Sequence, residues 1–334
     1  MRRWAVLTVI VLQLAVLAAM AGNREYIVHF GQRVHLQTAP IDPRDIFRGD
    51  FVRLSYELSR VDITRIADLR DPVKKGDIVY AEISPVAGEL FGLTRLTDVR
   101  PKTGLFMRGR VMSASTGGIL HIKYGIEQLF VEQGEGLAIE ERRGNRQSAQ
   151  VPMQVAVALG GDGTAVVTGY RFSKLSIELL RVTPPQPNDT TEQNDSDDPM
   201  SPKFTLKIKN VSDESLTLVN AGENCAFELY SLPGNQGDIT NAYRGCNDAW
   251  KEKPNIIVLS PTEEKSFEFD FNRPRWHVNK DGVILGLGQL GPRDRFRLIY
   301  RAPEASVLAK LFAENDIWIG YLPSRAFNAS GRID

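Results

Sequence analysis

The chain opens with one long apolar run and then changes to short alternating patterns. Trp4–Gly22 contains no charged residue, and its one polar amide is Gln13. A run of this length is what a helix needs to cross the hydrocarbon core of a bilayer. Arg2 and Arg3 precede it, and basic residues favour the cytoplasmic side, so everything after Gly22 is expected outside the cytoplasm. The helix can also continue through Arg24–Phe30 and end at Gly31.

Two interpretations of this run remain open. It is either an uncleaved signal anchor over residues 1–31 or a cleaved signal peptide, since Ala19-Met20-Ala21 fits the small-x-small cleavage pattern. Both export the chain. We adopt the anchor, which predicts a single-pass membrane protein.

Residues 32–182 alternate between apolar and polar positions with the period of two that is typical of strands. Gly160-Gly161-Asp162-Gly163 indicates a hairpin turn between two of them. Many short strands with regular turns predict a β-rich barrel or sandwich. Ile63–Leu69 and Leu137–Arg142 are predicted to be short helices. The predicted strands are Arg33–Thr38, Phe51–Leu58, Ile78–Ser84, Phe91–Val99, Leu105–Ser113, Ile119–Tyr124, Val151–Leu159 and Thr164–Tyr170.

Pro40–Leu58 carries the densest positional signals in the chain. Asp42 can cap a helical turn, Pro43 suits its first position, and Gly49 can take the left-handed conformation that ends it. The following segment alternates, so one face of the predicted strand is buried. Its apolar positions are Val52, Leu54, Tyr56 and Leu58.

Charges of both signs crowd the same segment. They form either a network of surface ion pairs and caps or a docking surface for a partner, and the sequence leaves both open. The residues of this candidate site, structural or partner-binding, are Asp42, Arg44, Asp45, Arg48, Gly49, Asp50, Leu54 and Tyr56.

Gly49-Asp50-Phe51-Val52-Arg53-Leu54-Ser55-Tyr56 resembles the signature of the GDYxxLxY family of uncharacterised membrane-anchored bacterial proteins. Phe51 stands where the signature has its first Tyr, which keeps the ring and removes the hydroxyl. Pro40–Asp45 is also similar to that family, as is Tyr124-Gly125-Ile126-Glu127 followed by Phe130-Val131. The resemblance covers roughly residues 1–175. It implies a membrane anchor and an envelope location, with the chain in the inner membrane and its bulk in the periplasm, and it implies no activity.

Thr183–Pro202 separates two regions of strand pattern. It holds five prolines and five acidic residues but no basic one. Such a segment buries too little apolar surface to offset its ordering entropy, so residues 183–202 are predicted to be an extended linker. Residues 203–334 return to short alternating strands and predict an immunoglobulin-like β-sandwich. The fold class is therefore mainly β: an N-terminal transmembrane helix, a β-rich domain over residues 32–182, and a β-sandwich second domain.

Cys225 and Cys246 are the only cysteines. Two thiols without nearby histidines make a poor zinc site, and in an exported chain they are expected to form one disulfide. Free or redox-active thiols are the alternative.

No pattern predicts catalysis or a cofactor. The four histidines have no metal-binding spacing, there is no nucleophile or phosphate-loop motif, and three nearby arginines oppose calcium at Asp42, Asp45 and Asp50. Lys and Arg balance Asp and Glu at 41 each, which gives no support for nucleic-acid binding. Two hypotheses remain: a non-enzymatic, membrane-tethered envelope protein that binds an envelope or membrane protein, and an envelope hydrolase or protease. A serine–lysine pair in a cleft would favour the second.

Overall fold

A computed structural model describes residues 2–39, 51–63, 67–70, 72–114, 118–132, 134–144, 149–182, 201–235, 239–242, 246–252, 254–303 and 315–333. The protein is mainly β, as the alternating patterns predict. It has three parts: an apolar N-terminal helix, a curled half-barrel, and a second β-rich region with its own core.

Helix α1 runs without a break over Arg2–Phe30 and ends at Gly31. It is long and apolar enough to cross a membrane. Its side chains are exposed along the apolar run, which is the arrangement that a lipid environment would cover. The continuation through Arg24–Phe30 is confirmed.

The half-barrel is one sheet of nine strands that curls around its core. Along the sheet the strands follow the order β11-β10-β1-β6-β5-β7-β8-β3, and β4 pairs with β6. A separate pair, β2 with β9, and helix α2 (Glu135–Arg143) complete this part. The strands are β1 (Gln32–Gln37), β2 (Phe51–Arg53), β3 (Arg60–Asp62), β4 (Ala67–Asp68), β5 (Ile78–Ala87), β6 (Leu90–Thr97), β7 (Leu105–Ala114), β8 (Ile119–Lys123), β9 (Gln128–Phe130), β10 (Met153–Leu159) and β11 (Ala165–Phe172).

The second region consists of small sheets around a core rich in phenylalanine. The sheets are β12-β13-β18, β14-β17, β15-β21-β22 with β23 paired to β21, and β16-β19-β20. This arrangement is compatible with a sandwich. That the sandwich is immunoglobulin-like stays a prediction. The elements are β12 (Leu175–Arg181), β13 (Lys203–Asn210), β14 (Leu216–Ala221), β15 (Phe227–Ser231), β16 (Ile239–Asn241), α3 (Cys246–Glu252), β17 (Pro254–Leu259), β18 (Glu264–Asp270), β19 (Val278–Lys280), β20 (Val283–Leu285), β21 (Arg295–Arg301), β22 (Tyr321–Pro323) and β23 (Phe327–Asn328).

Strand β12 belongs to the core of the second region, although it precedes the predicted linker. It pairs antiparallel with β13 over its whole length, and Leu175, Ile177 and Leu179 lie in the core that β13 and β18 share. Residues 183–200 of the predicted linker lie outside the described residues. The domain boundary at residues 183–202 stays a prediction.

Two sequence expectations were wrong in detail. The strand predicted over Phe51–Leu58 ends at Arg53, because Glu57–Ser59 forms a 3-10 turn that is closed by the Ser59 amide donating to the Tyr56 carbonyl at 3.0 Å. Within the helix predicted over Ile63–Leu69, residues 67 and 68 form β4, which pairs in parallel with the end of β6. The Asp68 carboxylate is also tied across the sheet to the Arg95 guanidinium at 2.9 Å.

Candidate functional site

Only part of the candidate site lies within the described residues. Leu54 and Tyr56 are described. Asp42, Arg44, Asp45, Arg48, Gly49 and Asp50 lie outside the described residues.

Leu54 and Tyr56 are core residues of the half-barrel. Both side chains are about 2% exposed or less, and they pack in the same cluster as Val52 and Leu58. The alternation read from the sequence therefore places the apolar face correctly, even though the strand is short. The Tyr56 hydroxyl donates to the Ile126 carbonyl at 2.7 Å. Burial raises the pKa of Tyr56 far above its usual value, with the Glu127 charge as the second cause, so the hydroxyl stays a neutral donor.

The second segment that resembles the family closes the same unit from the other side. The Tyr124 hydroxyl donates to the Leu58 carbonyl at 2.9 Å, and the Leu54 amide donates to the Glu127 carbonyl at 2.9 Å. The Glu127 carboxylate accepts the Tyr124 amide at 2.6 Å and the Gly125 amide at 3.1 Å, which fixes the turn. The two segments thus form one hydrogen-bonded clasp, defined here as Leu54–Leu58 with Tyr124–Glu127.

The described residues on either side of the charged segment, Ala39 and Phe51, are each bonded to the half-barrel. The Ala39 amide donates to the Ser55 carbonyl at 2.8 Å, and the Arg143 guanidinium donates to the Ala39 carbonyl at 3.1 Å. At the other end Phe51 pairs with Phe130 in the β2–β9 ladder. The described residues that flank 40–50 are therefore both held by the half-barrel.

Beside strand β9 lies an open groove with a volume of about 490 Å³. It runs between β9, the start of α2 and strand β11, and Phe130 is largely exposed on it. Two carboxylates, Glu132 and Glu135, line it. The groove is acidic and partly apolar.

Residues 13–169 match the family model described as GDYXXLXY protein. This part of the chain belongs to the GDYXXLXY family. The match contains the clasp, the charged segment and the lining of the groove except Tyr170, and it ends before the second region. No curated protein and no solved structure matches the chain.

The residue that follows the GDYXXLXY signature joins the two β-rich regions. The Glu57 carboxylate accepts the Arg297 guanidinium at 2.5 Å and the Tyr321 hydroxyl at 3.1 Å. Burial raises the pKa of Glu57, and the Arg297 charge and the two hydrogen bonds only partly oppose this. Sequence reasoning missed this contact because Glu57 and Arg297 are 240 residues apart and no local pattern links them.

An apolar contact surrounds this ion pair. Leu90 of the half-barrel lies in one small cluster with Ile299 and Tyr321 of the second region, and Val86 and Ala87 pack against it. We call Glu57, Arg297 and Tyr321 together with this cluster the joint. The joint places the second region directly on the GDYXXLXY part of the chain.

Cys225 and Cys246 lie at disulfide-bonding distance, with their Cα atoms 5.5 Å apart. The bond ties the end of β14 and its following turn to the start of helix α3. Trp276 is a core residue, since its ring packs against Phe269 and Phe271.

The histidines are dispersed. Among the described residues, no group of three or more His, Cys, Asp or Glu side chains could hold a metal ion. Burial lowers the pKa of His35 and of His121, and in each case a nearby arginine lowers it further. Within the described ranges, no hydrogen bond joins a serine hydroxyl to a lysine amine. The hydrolase hypothesis therefore receives no support from the part of the chain that the structure describes.

Proposed function

We propose that this protein is a non-enzymatic envelope protein that binds a protein partner outside the cytoplasm. In this account α1 is an uncleaved anchor in the bacterial inner membrane, and both β-rich regions lie in the periplasm. The charged segment Asp42–Asp50 is the partner-binding surface. A partner in the envelope or in the membrane itself is within its reach.

One observation carries the assignment of the binding surface. The apolar half of the signature packs in the core of the half-barrel, where Leu54 and Tyr56 are buried and hydrogen-bonded. The described residues on either side of the charged half, Ala39 and Phe51, are both held by the half-barrel. In this proposal the charged side chains serve recognition, since ion pairs at a protein surface stabilise a fold by only about 0–1 kcal/mol.

Arginine is the side chain that we expect to contact the partner. Arg44 and Arg48 have forked guanidinium groups that suit carboxylates on a partner. Asp42 and Gly49 have structural roles in this proposal, as a cap and as the residue with left-handed backbone.

The test uses full-length protein in detergent-solubilised membranes, with cross-linking and pull-down of each variant. Arg44→Ala and Arg48→Ala should retain the wild-type melting temperature and capture less partner. Arg293→Ala is the matched control, because Arg293 is an exposed arginine in the second region. Asp42→Ala and Gly49→Val should lower the melting temperature. For Asp42→Ala the expected loss in the free energy of unfolding is about 1 kcal/mol, the usual contribution of a helix cap.

Two results would contradict the proposal. If the arginine variants unfold the protein, the segment is a structural ion-pair network. If they keep both the fold and the full set of partners, the binding surface lies elsewhere.

A further inference from the structure

The last turn of α1 is packed against the half-barrel without a linker. Ile27 is 4% exposed and lies with Val28 against Ala158 and Val166 on the sheet. The Gly31 amide donates to the Ile27 carbonyl at 2.8 Å, and β1 begins at the next residue. Only Gly31 therefore separates the helix from β1, and the end of the helix packs directly on the sheet.

Glycine makes this close approach feasible. A Cβ at Gly31 would overlap the Ile27 carbonyl and would lie 2.8 Å from the Leu159 carbonyl oxygen. A Cβ at Gly160 would lie 3.0 Å from the Ile27 side chain. The contact has no spare space, so we expect the sheet to keep a fixed orientation relative to the helix axis.

The length of α1 sets the depth of this contact. Its 29 residues span about 44 Å, whereas the hydrocarbon core is about 30 Å thick. With Trp4–Gly22 in the core, Asn23–Phe30 lies at the level of the lipid headgroups. Tyr26 and Phe30 are exposed on this turn with ring centroids 5.0 Å apart, and aromatic rings are typical of that layer.

Three arginines lie on the sheet or contact the turn Gly160–Gly163, next to the end of the helix. Arg33 pairs across the ladder with Ala158, so it lies on the face against which the helix packs. The Arg100 guanidinium donates to the Gly161 carbonyl at 2.8 Å, and the Arg108 amide donates to the Gly163 carbonyl at 2.8 Å. All three arginines are exposed residues.

The acidic residue of the turn is already hydrogen-bonded within the turn. The Asp162 carboxylate accepts the Thr164 amide at 3.0 Å and the Thr164 hydroxyl at 2.7 Å. The Arg100 guanidinium bonds to the turn, the Arg108 charge acts on the Asp162 carboxylate, and Arg33 lies on the neighbouring face of the sheet. The three arginines and this one carboxylate together carry a net positive charge.

We propose that the turn Gly160–Gly163, with Arg33, Arg100 and Arg108, is a lipid-contact surface that binds the phosphate groups of the membrane from which α1 emerges. This proposal rests on α1 being a membrane span. The occupant is a lipid surface, because the contact continues an apolar helix and has the charge that phosphate headgroups require. If this contact forms, the half-barrel is held against the membrane in one orientation.

The experiment reconstitutes the full chain into vesicles that contain anionic lipid and headgroup spin-labelled lipid. A Gly161→Cys variant carries a fluorophore, and the label is tolerated because a Cβ at Gly161 meets no atom within 4 Å. The native cysteines are bonded to one another and should not react. The matched control carries the same label and a flexible Gly-Ser insertion between Gly31 and Gln32.

We expect quenching of the label to be at least twofold stronger in the native chain than in the control with the insertion. Replacing Arg33, Arg100 and Arg108 by Gln should reduce the quenching in the native chain. Equal quenching in the native chain and in the control would overturn the lipid contact. Unchanged quenching after the three arginine substitutions would overturn the role of phosphate. If the chain is released from vesicles by alkaline carbonate, the anchor itself is wrong, whereas a retained chain with an unquenched label refutes only the lipid contact.

Discussion

Tyr56 illustrates how a signature residue can be structural. Its ring fills the core of the half-barrel and its hydroxyl satisfies the Ile126 carbonyl, which belongs to the other segment of the clasp. Tyr124 makes the reciprocal bond to Leu58. At the scale of single residues, the GDYXXLXY signature therefore specifies how two distant segments hold together.

We predict that Tyr56→Phe and Tyr124→Phe each lower the free energy of unfolding by about 1–3 kcal/mol. Phenylalanine keeps the ring but leaves a buried carbonyl without its donor. Chemical denaturation of full-length protein in detergent measures the change. Tyr80→Phe is the control, because the Tyr80 ring packs on Phe106 and its hydroxyl has no hydrogen bond among the described residues. Equal effects at all three positions would refute the assignment.

Glu57 gives a prediction about pH. Because burial raises its pKa in the folded state above the ordinary value of 4.5, the folded protein holds this proton more tightly than the unfolded chain does. The contribution of Glu57 to stability is therefore full below pH 4.5 and is lost as the pH rises through the raised pKa. Arg297, Tyr321 and, through Tyr321, Tyr230 are the charged or titratable groups that act on it.

Glu57→Gln should remove this pH dependence, because the amide keeps an acceptor for Arg297 and Tyr321 and cannot ionise. Wild-type protein should therefore gain stability relative to this variant as the pH is lowered from 7 towards 4.5. Glu57→Ala should cost roughly 3 kcal/mol at neutral pH, since it leaves the buried Arg297 charge uncompensated. Melting curves across that pH range decide the matter, and parallel curves for wild type and the Gln variant would contradict the account.

At the scale of elements, local patterns predicted most strands and missed how they pair. Alternation placed Val52, Leu54 and Tyr56 on a buried face, and the glycine-rich turn after Leu159 correctly joins β10 to β11. The clasp and the joint depend on contacts between residues that are 70 and 240 positions apart. No local period encodes such contacts, because a period describes one face of one element.

Strand β12 is the element for which the sequence reading was least informative. It precedes the acidic Pro-rich stretch, yet its apolar side chains lie in the core of the second region. We predict that Ile208→Ala, which removes core methyl groups from β13, speeds amide hydrogen exchange in β12 and β18 and leaves β10 unchanged. If the substitution leaves the exchange rate in β12 unchanged, as in β10, then β12 belongs to the half-barrel.

The disulfide between β14 and helix α3 gives a further prediction at this scale. Cys225 and Cys246 should be bonded to one another in protein isolated from its own envelope, and the bond should stabilise the second region by about 3 kcal/mol. Mass spectrometry of a non-reduced digest should find the linked peptides. Two alkylated thiols in that material would refute the prediction.

At the scale of the whole molecule, the described contacts join the three parts of the chain in series. The helix packs on the sheet at Ile27, and the sheet packs on the second region at the joint. These contacts bring the second region into a defined relation to helix α1.

The most direct test of this account is the topology of the chain in its native membrane. Reporters that are active only outside the cytoplasm should be fused after Gly31 and after Asp334, and the N-terminus of the mature protein should be sequenced. The account predicts activity from both fusions and a chain that retains Trp4–Gly22. Activity of a cytoplasm-specific reporter at either position would contradict it, and a mature protein that begins at Gly22 would show that the helix is a cleaved signal peptide.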